Sequence, residues 1–124
     1  MQKGNHTQTS VLTRGKTITC GDINCINWDA KHLSNWVSIL EGSTAIINLV
    51  GKSVNCRSTK NNKREIIESR VDATIAIGKA ISTLANPPKA WINAGSAAIF
   101  GDAKGEIKDK YSFPCMGFSA EVCE

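Results

Sequence analysis

Few side chains in this 124-residue chain are placed to do chemistry, and most of them stand beside glycine or other small residues. Ser96 sits in Ala94-Gly95-Ser96-Ala97-Ala98, directly after the strand-like segment Lys89–Asn93. Small residues at the end of a parallel strand leave room for a planar ligand and expose that hydroxyl. Gly51 follows an apolar run and lets backbone come close to another group, often a ligand. Arg14, with Gly15, closes the segment Thr7–Thr13. An arginine there either receives a phosphate or is a solvated turn residue. Arg70 falls next to an apolar helical stripe, where a guanidinium either reaches out to water or faces a polar group at a sheet edge. Tyr111 is the only tyrosine and lies in a loop-rich tail, a poor setting for a proton donor.

Metal and disulfide chemistry are not expected. The five cysteines, Cys20, Cys25, Cys56, Cys115 and Cys123, are odd in number and come without a secretory leader pattern. They read as free thiols in a reducing compartment. No C-x-x-C pair occurs, and His6 and His32 stand far from ligand spacings, so no metal site is expected. Fifteen basic against eleven acidic residues give a net charge of +4, which weakly favours anionic ligands. Apart from Lys60–Arg64 the charges are scattered, so no nucleic-acid partner is expected. No apolar segment reaches membrane-spanning length, and a soluble cytoplasmic protein is the default.

The elements that must position these residues follow from apolar patterning. The length allows one core, hence one domain over residues 1–124. Ala45–Val50, rich in β-branched residues, reads as a parallel strand covered on both faces. After Gly51 comes a polar loop, Lys52–Ser58, and then a helix over Lys60–Leu84, with Thr59 as N-cap and Asn86-Pro87-Pro88 as its stop. Ile67, Val71, Thr74, Gly78 and Ile81 form its expected buried stripe. Earlier, Ile23–Trp28 reads as a strand and Asp29 as the cap of a helix ending at Leu40 before Gly42, with Leu33, Trp36, Val37 and Leu40 inward. Lys3-Gly4-Asn5 resembles a helix C-terminus, and a last helix starts near Phe118. The fold class is α/β.

The run INLVGKSVNCRSTKNNKREIIESRVDAT resembles INLAGKSVNCRYT-x-x-N-x-x-x-I-x-x-SR-V-x-x-T. That segment belongs to the NAD-dependent epimerase/dehydratase family, an atypical branch of the extended short-chain dehydrogenases/reductases that is sugar-nucleotide epimerase-like. VLTRG, WDAKHLSNWVSILEG, NPPKAWINAGSAAIFGD and GFSAEVC resemble flanking segments of the same family, so the likeness runs from about Lys3 to Cys123. It implies a partial Rossmann-like domain, a doubly wound parallel sheet with flanking helices. It also implies NADP(H) or NAD(H) in a full-length parent, with hydride transfer to a small-molecule or nucleotide-sugar substrate. In such a parent Arg14 meets the 2′-phosphate of NADP. Asn48, Leu49, Val50 and Gly51 approach a ribose through backbone. Arg70 touches the cofactor, and Ser96 is the catalytic hydroxyl on the substrate or nicotinamide side.

The departures are equally specific. The family's G-x-x-G-x-x-G strand–loop–helix has no counterpart in the sequence, and the expected Tyr-x-x-x-Lys pair falls on Phe118 and Val122. Phe100 and Ser58 stand where the family has Tyr, and Val50 where it has Ala. The resemblance therefore implies a fragment without first strand and first helix, inactive alone, with weak or no cofactor binding of its own. The alternative is a non-catalytic, degenerate nucleotide-binding or protein-interaction fragment. Without the first strand two half-sheets lack a shared neighbour. Ser10–Thr13 then pairs directly with Ala45–Val50, or two copies join edge to edge as a homodimer, or the chain stays partly unfolded.

Overall fold

The computed structural model describes residues 8–102 and 104–123. The expected helix end at Lys3–Asn5 and the strand start at Thr7 lie outside the described residues. In chain order the elements are β1 (Thr9–Thr13), β2 (Ile18–Cys20), β3 (Ile23–Asn27), a 3-10 helix (Asn35–Leu40) and β4 (Ala45–Asn48). There follow α1 (Lys60–Ser82), β5 (Ala90–Asn93), a second 3-10 helix (Ala97–Phe100) and a single-turn α2 (Phe118–Glu121).

The strands form two sheets. In the first, β3 lies between β1 and β2, parallel to β1 from Thr9↔Ile23 to Thr13↔Asn27 and antiparallel to β2. In the second, β4 and β5 run parallel, from Ala45↔Ala90 to Asn48↔Asn93, joined by the crossover that contains α1. The half-sheets expected from the sequence are thus present. Direct pairing of Ser10–Thr13 with Ala45–Val50 is not what forms, because β1 takes β3 and β4 takes β5. Each of β1 and β4 keeps one edge without a strand partner among the described residues.

A core of Trp28, Trp36 and Leu40 meets Ala73, Ala76, Ile77 and Ala80 of α1. Leu12 and Ile26 of the first sheet, with Ile46 and Val50 of the second strand layer, pack around it. One helix face thus receives both sheets. The two indoles lie 4.7 Å apart between ring centroids, and both Nε1–H groups donate to the His32 carbonyl at 3.0 Å.

Three expectations are corrected. The helix expected from Asp29 to Leu40 is only the 3-10 helix Asn35–Leu40. Asp29 does cap, but it closes a turn, accepting from Lys31 N at 2.9 Å and His32 N at 2.8 Å. Ala30 then takes φ 65°, which breaks any helix at that point, and Leu33 is left exposed. The buried stripe of α1 is Ile66, Ala73, Ala76, Ile77 and Ala80, whereas Ile67 and Val71 are exposed. Alanines let the helix come close to the two indoles, which larger side chains would hold off. Nor is β4 covered on both faces: Ile47 is 62% exposed and its register partner Ile92 53% exposed, since α1 covers only the other face.

α1 starts as expected at Lys60, and it ends at Ser82, just short of the expected Leu84. Thr59 Oγ1 accepts from Asn62 N at 3.2 Å. Past the C-terminus, the Glu41 carboxylate accepts from the backbone N–H groups of Ala85 and Asn86, at 3.2 and 2.5 Å, and Gly42, at φ 66°, donates to Asn86 O. Glycine adopts that conformation without the Cβ clash other residues meet. No helix among the described residues is long and apolar enough to cross a membrane.

Candidate functional site

Beyond the carboxyl ends of β4 and β5 the chain opens into a cleft of about 850 Å³. Its walls are the segments Asn48–Val54 and Cys56–Ser58, the cleft-facing side of α1 from Asn62 to Ile75, the small-residue run Asn93–Ser96, and α2. Ligands of open α/β sheets lie at such strand ends.

Asn48 locks the floor. It is the buried polar residue of the described core, and its amide donates to Asn93 Oδ1 at 3.0 Å and to Thr74 Oγ1 at 3.4 Å while accepting from Val50 N at 3.1 Å. Its carbonyl accepts from Ala94 N at 2.9 Å. Side chain and carbonyl are therefore engaged in holding β4, β5 and α1 together. Leu49 is 75% exposed on the cleft wall, while Val50 packs towards the core.

Gly51 does allow a close approach, and the group that takes it is Arg70. A Cβ on Gly51 would stand 2.9 Å from Arg70 Cζ and 3.0 Å from Nη2. Arg70 is held there by donating from Nη1 to Lys52 O at 3.2 Å and Ile66 O at 3.0 Å. Of the two settings considered for Arg70, a polar group past the strand end is thus the one found. Lys52 N in turn donates to Ser69 Oγ at 2.9 Å, and the Lys52 ammonium bonds to the Glu65 carboxylate and to Asn62 Oδ1. The ammonium holds the Glu65 carboxyl below its ordinary range, with help from the Asn61 amide.

Ser96 lies on the opposite wall as N-cap of the second 3-10 helix, its oxygen accepting from Ala98 N at 3.2 Å. That leaves its hydroxyl proton to donate. Arg14 is exposed and does not line the cleft, so the structure gathers Asn48 to Gly51, Arg70 and Ser96 in one place and leaves Arg14 apart. Phe118 and Val122 line the same cleft. Among the described residues its lining carries the cations Lys52, Arg57, Lys63 and Arg70 and no carboxylate, imidazole or phenol. The arrangement is suited to binding an anionic, partly planar molecule, and the proton carriers in the described lining are Lys52, Lys63, Cys56 and Cys123. Cys25, Cys56, Cys115 and Cys123 are free thiols.

Sequence reasoning missed Lys52, Arg57, Lys63 and Asn93 as parts of the cleft. Lys60–Arg64 had stood out only as a charge cluster. The signal for Asn93 was its position: Asn48 and Asn93 each end an apolar strand, and parallel register sets them side by side.

Parallel strands joined through a covering helix, with a cleft at their carboxyl ends, define an α/β fold of the Rossmann type. The profile of the NAD dependent epimerase/dehydratase family matches residues 1–117, and the chain belongs to that family. Among relatives, the chloroplastic epimerase family protein SDR39U1 homolog of Arabidopsis thaliana is 29% identical over 92 residues, covering 73% of this chain and 26% of that protein. Epimerase family protein SSP1921 of Staphylococcus saprophyticus is 30% identical over 92 residues, covering 73% of this chain and 30% of its own length. The crystal structure of human epimerase family protein SDR39U1 (isoform 2) with NADPH superposes with a TM-score of 0.72 at 23% identity, over 93% of this chain and 37% of that one. The chain thus spans about a third or less of the length of the curated relatives it matches.

Proposed function

We propose that this chain is a single, partial NAD(P)-binding domain of an oxidoreductase that acts on a small-molecule or nucleotide-sugar substrate. The observation that carries the reading is the cleft at the ends of β4 and β5, where Leu49, Gly51, Arg70 and Ser96 converge. Support comes from the family and from the NADPH bound by the human structural neighbour.

The described residues fit one end of a dinucleotide. Asn48–Gly51 offer backbone and an apolar Leu49 to a ribose and nicotinamide, Arg70 contributes positive charge, and Ser96 has a proton to donate. NADP(H) or NAD(H), when bound in a full-length parent, supplies hydride transfer. The chain's own residues orient the ring and hold the substrate side. Arg14, outside the cleft, reads the 2′-phosphate at the adenosine end. The pyrophosphate requires N–H groups at a helix N-terminus after a glycine-rich turn, and no G-x-x-G-x-x-G occurs in the sequence. Alone, the chain binds the cofactor weakly or not at all and does not turn over, and its location is the cytoplasm. A second reading, a non-catalytic, degenerate nucleotide-binding or protein-interaction fragment, is favoured by the lack of a carboxylate, imidazole or phenol in the described lining.

Calorimetry tests this. NADPH binds the purified 124-residue chain at high micromolar concentration or worse. Joined to a glycine-rich strand–loop–helix unit, it binds far more tightly, and there Arg14→Ala weakens NADPH more than NADH by about 1.5–3 kcal/mol, the contribution of a charge-assisted phosphate contact. Low-micromolar binding by the chain alone overturns the first statement; equal losses for the two cofactors overturn the role of Arg14.

A further inference from the structure

The four cations that line the cleft are not equivalent. Lys52 is satisfied by Glu65 and Asn62, and Arg70 by the carbonyls of Lys52 and Ile66. Arg57 and Lys63 have no carboxylate partner among the described residues. Lys63 is half-buried, its ammonium 4.9 Å from the ring centroid of Phe118, which itself lines the cleft. The cation–π contact holds that ammonium at the wall without neutralising it. The end of the cleft between the 53–58 loop and the first turn of α1 therefore carries two uncompensated positive charges in a concave site.

We propose that Arg57 and Lys63 form an oxyanion subsite for a phosphate or diphosphate carried by the substrate. The proposal rests on the cleft being a dinucleotide site, and it assigns this end to the second ligand. A planar guanidinium fork and a point-charge ammonium lining the same cleft suit a polyvalent phosphate. Lys63 is half-buried, which strengthens its interaction relative to open water, while Arg57 is exposed and supplies the fork from the solvent side. The location separates the subsite from the cofactor. The residues assigned to the dinucleotide's ribose and nicotinamide are at the strand end, Asn48–Gly51 and Arg70, and Arg14 lies outside the cleft altogether. Arg57 belongs instead to the 53–58 loop, and Lys63 to the first turn of α1, where its ammonium meets Phe118 of α2.

The test is an amide-shift titration of the isotopically labelled chain with inorganic pyrophosphate at low salt. Saturable shifts confined to Cys56–Lys63 and Phe118 are expected. Affinity falls about tenfold in Arg57→Gln and in Lys63→Gln, the effect of one charge-assisted contact. Lys60→Gln, outside the cleft lining, leaves it unchanged. The variants' own spectra show whether the fold is kept; Arg57 is exposed and Lys63 half-buried. A second titration adds millimolar NADPH. If NADPH moves Leu49–Gly51 and leaves pyrophosphate bound, the subsite is the substrate's. If NADPH displaces pyrophosphate from Arg57, the proposal falls while the dinucleotide reading stands. If pyrophosphate binds at Arg57 and NADPH binds nowhere even when the chain is joined to a glycine-rich strand–loop–helix unit, the oxyanion subsite stands and the dinucleotide reading falls. Shifts that do not saturate, or that persist equally in Arg57→Gln and Lys63→Gln, overturn the subsite.

Discussion

Gly51 and Arg70 should behave as one unit, and the sign of a single substitution shows it. In the native chain Gly51→Ala places a Cβ 2.9 Å from Arg70 Cζ, a separation that forces the guanidinium to move. Moving it breaks the bond to Lys52 O, which no helix ladder replaces; the bond to Ile66 O matters less, because that carbonyl lies inside α1. A hydrogen bond from a charged donor contributes about 1.5–3 kcal/mol, and we take about 1–2 for a half-exposed arginine. Against this, Gly→Ala at a backbone conformation alanine can adopt stabilises by about 0.4–1 kcal/mol through the unfolded chain. Gly51 has no positive φ, so the gain applies. Gly51→Ala alone therefore destabilises by about 0.5–1 kcal/mol. In an Arg70→Ala background the obstruction is gone, and the same change stabilises by about 0.4–1 kcal/mol. Urea unfolding of the four proteins gives the cycle, with a coupling of about 1–2 kcal/mol. The same sign and size in both backgrounds would refute the close approach of Arg70 to the strand end.

Two further outcomes follow from the fold. The carboxyl of Asp29 is lowered from its usual 3.8 to about 2, first by the backbone N–H of His32, then by the His32 ring and the N–H of Lys31. A depressed acid favours the folded form above its ordinary value and loses that contribution as pH falls through the folded one. Asp29→Asn should thus flatten the stability–pH curve between about pH 4 and about pH 2, read from urea midpoints; parallel curves would show that the turn does not hold the carboxylate. Because β1 and β4 each keep an edge without a strand partner among the described residues, the isolated chain should be oligomeric or aggregation-prone in sedimentation, with a broad melt. A monomer melting sharply above mesophilic temperatures at micromolar concentration would contradict that.

The order of elements was legible in the sequence because its signals are local. Thr59 and Asn86-Pro87-Pro88 bracket α1, and Gly51 marks the end of the strand run. What was not legible depended on partners distant in the chain. α1 is apolar around much of its surface, with Ile66, Ile67, Val71, Ile75 and Ile77 pointing several ways, so spacing alone does not choose the buried face. The indoles choose it, by fitting against Ala73, Ala76 and Ala80. A shared acceptor likewise shortens the expected helix after Asp29: His32 O receives both indole N–H groups in place of helical partners. β2 is only three residues long and was invisible without β3 beside it. For the cleft, the strand end and Ser96 could be read from small residues, whereas Arg57 and Lys63 enter it only through the path of the 53–58 loop and the contact with Phe118.

The tryptophans also divide the chain optically. Trp28 and Trp36 are buried, 4.7 Å apart and inclined by 46°, close enough for their electronic transitions to mix. Such a pair gives far-ultraviolet circular dichroism bands of opposite sign that vanish when either ring moves. Trp91, the third, lies on the second sheet over Gly78, partly open to solvent and hence to collisional quenchers. The dichroic couplet reports the seating of the turn after the first sheet on α1, and the quenchable emission reports the second sheet. Two signals from one unlabelled chain therefore tell whether its two half-sheets come off the shared helix together or one after the other.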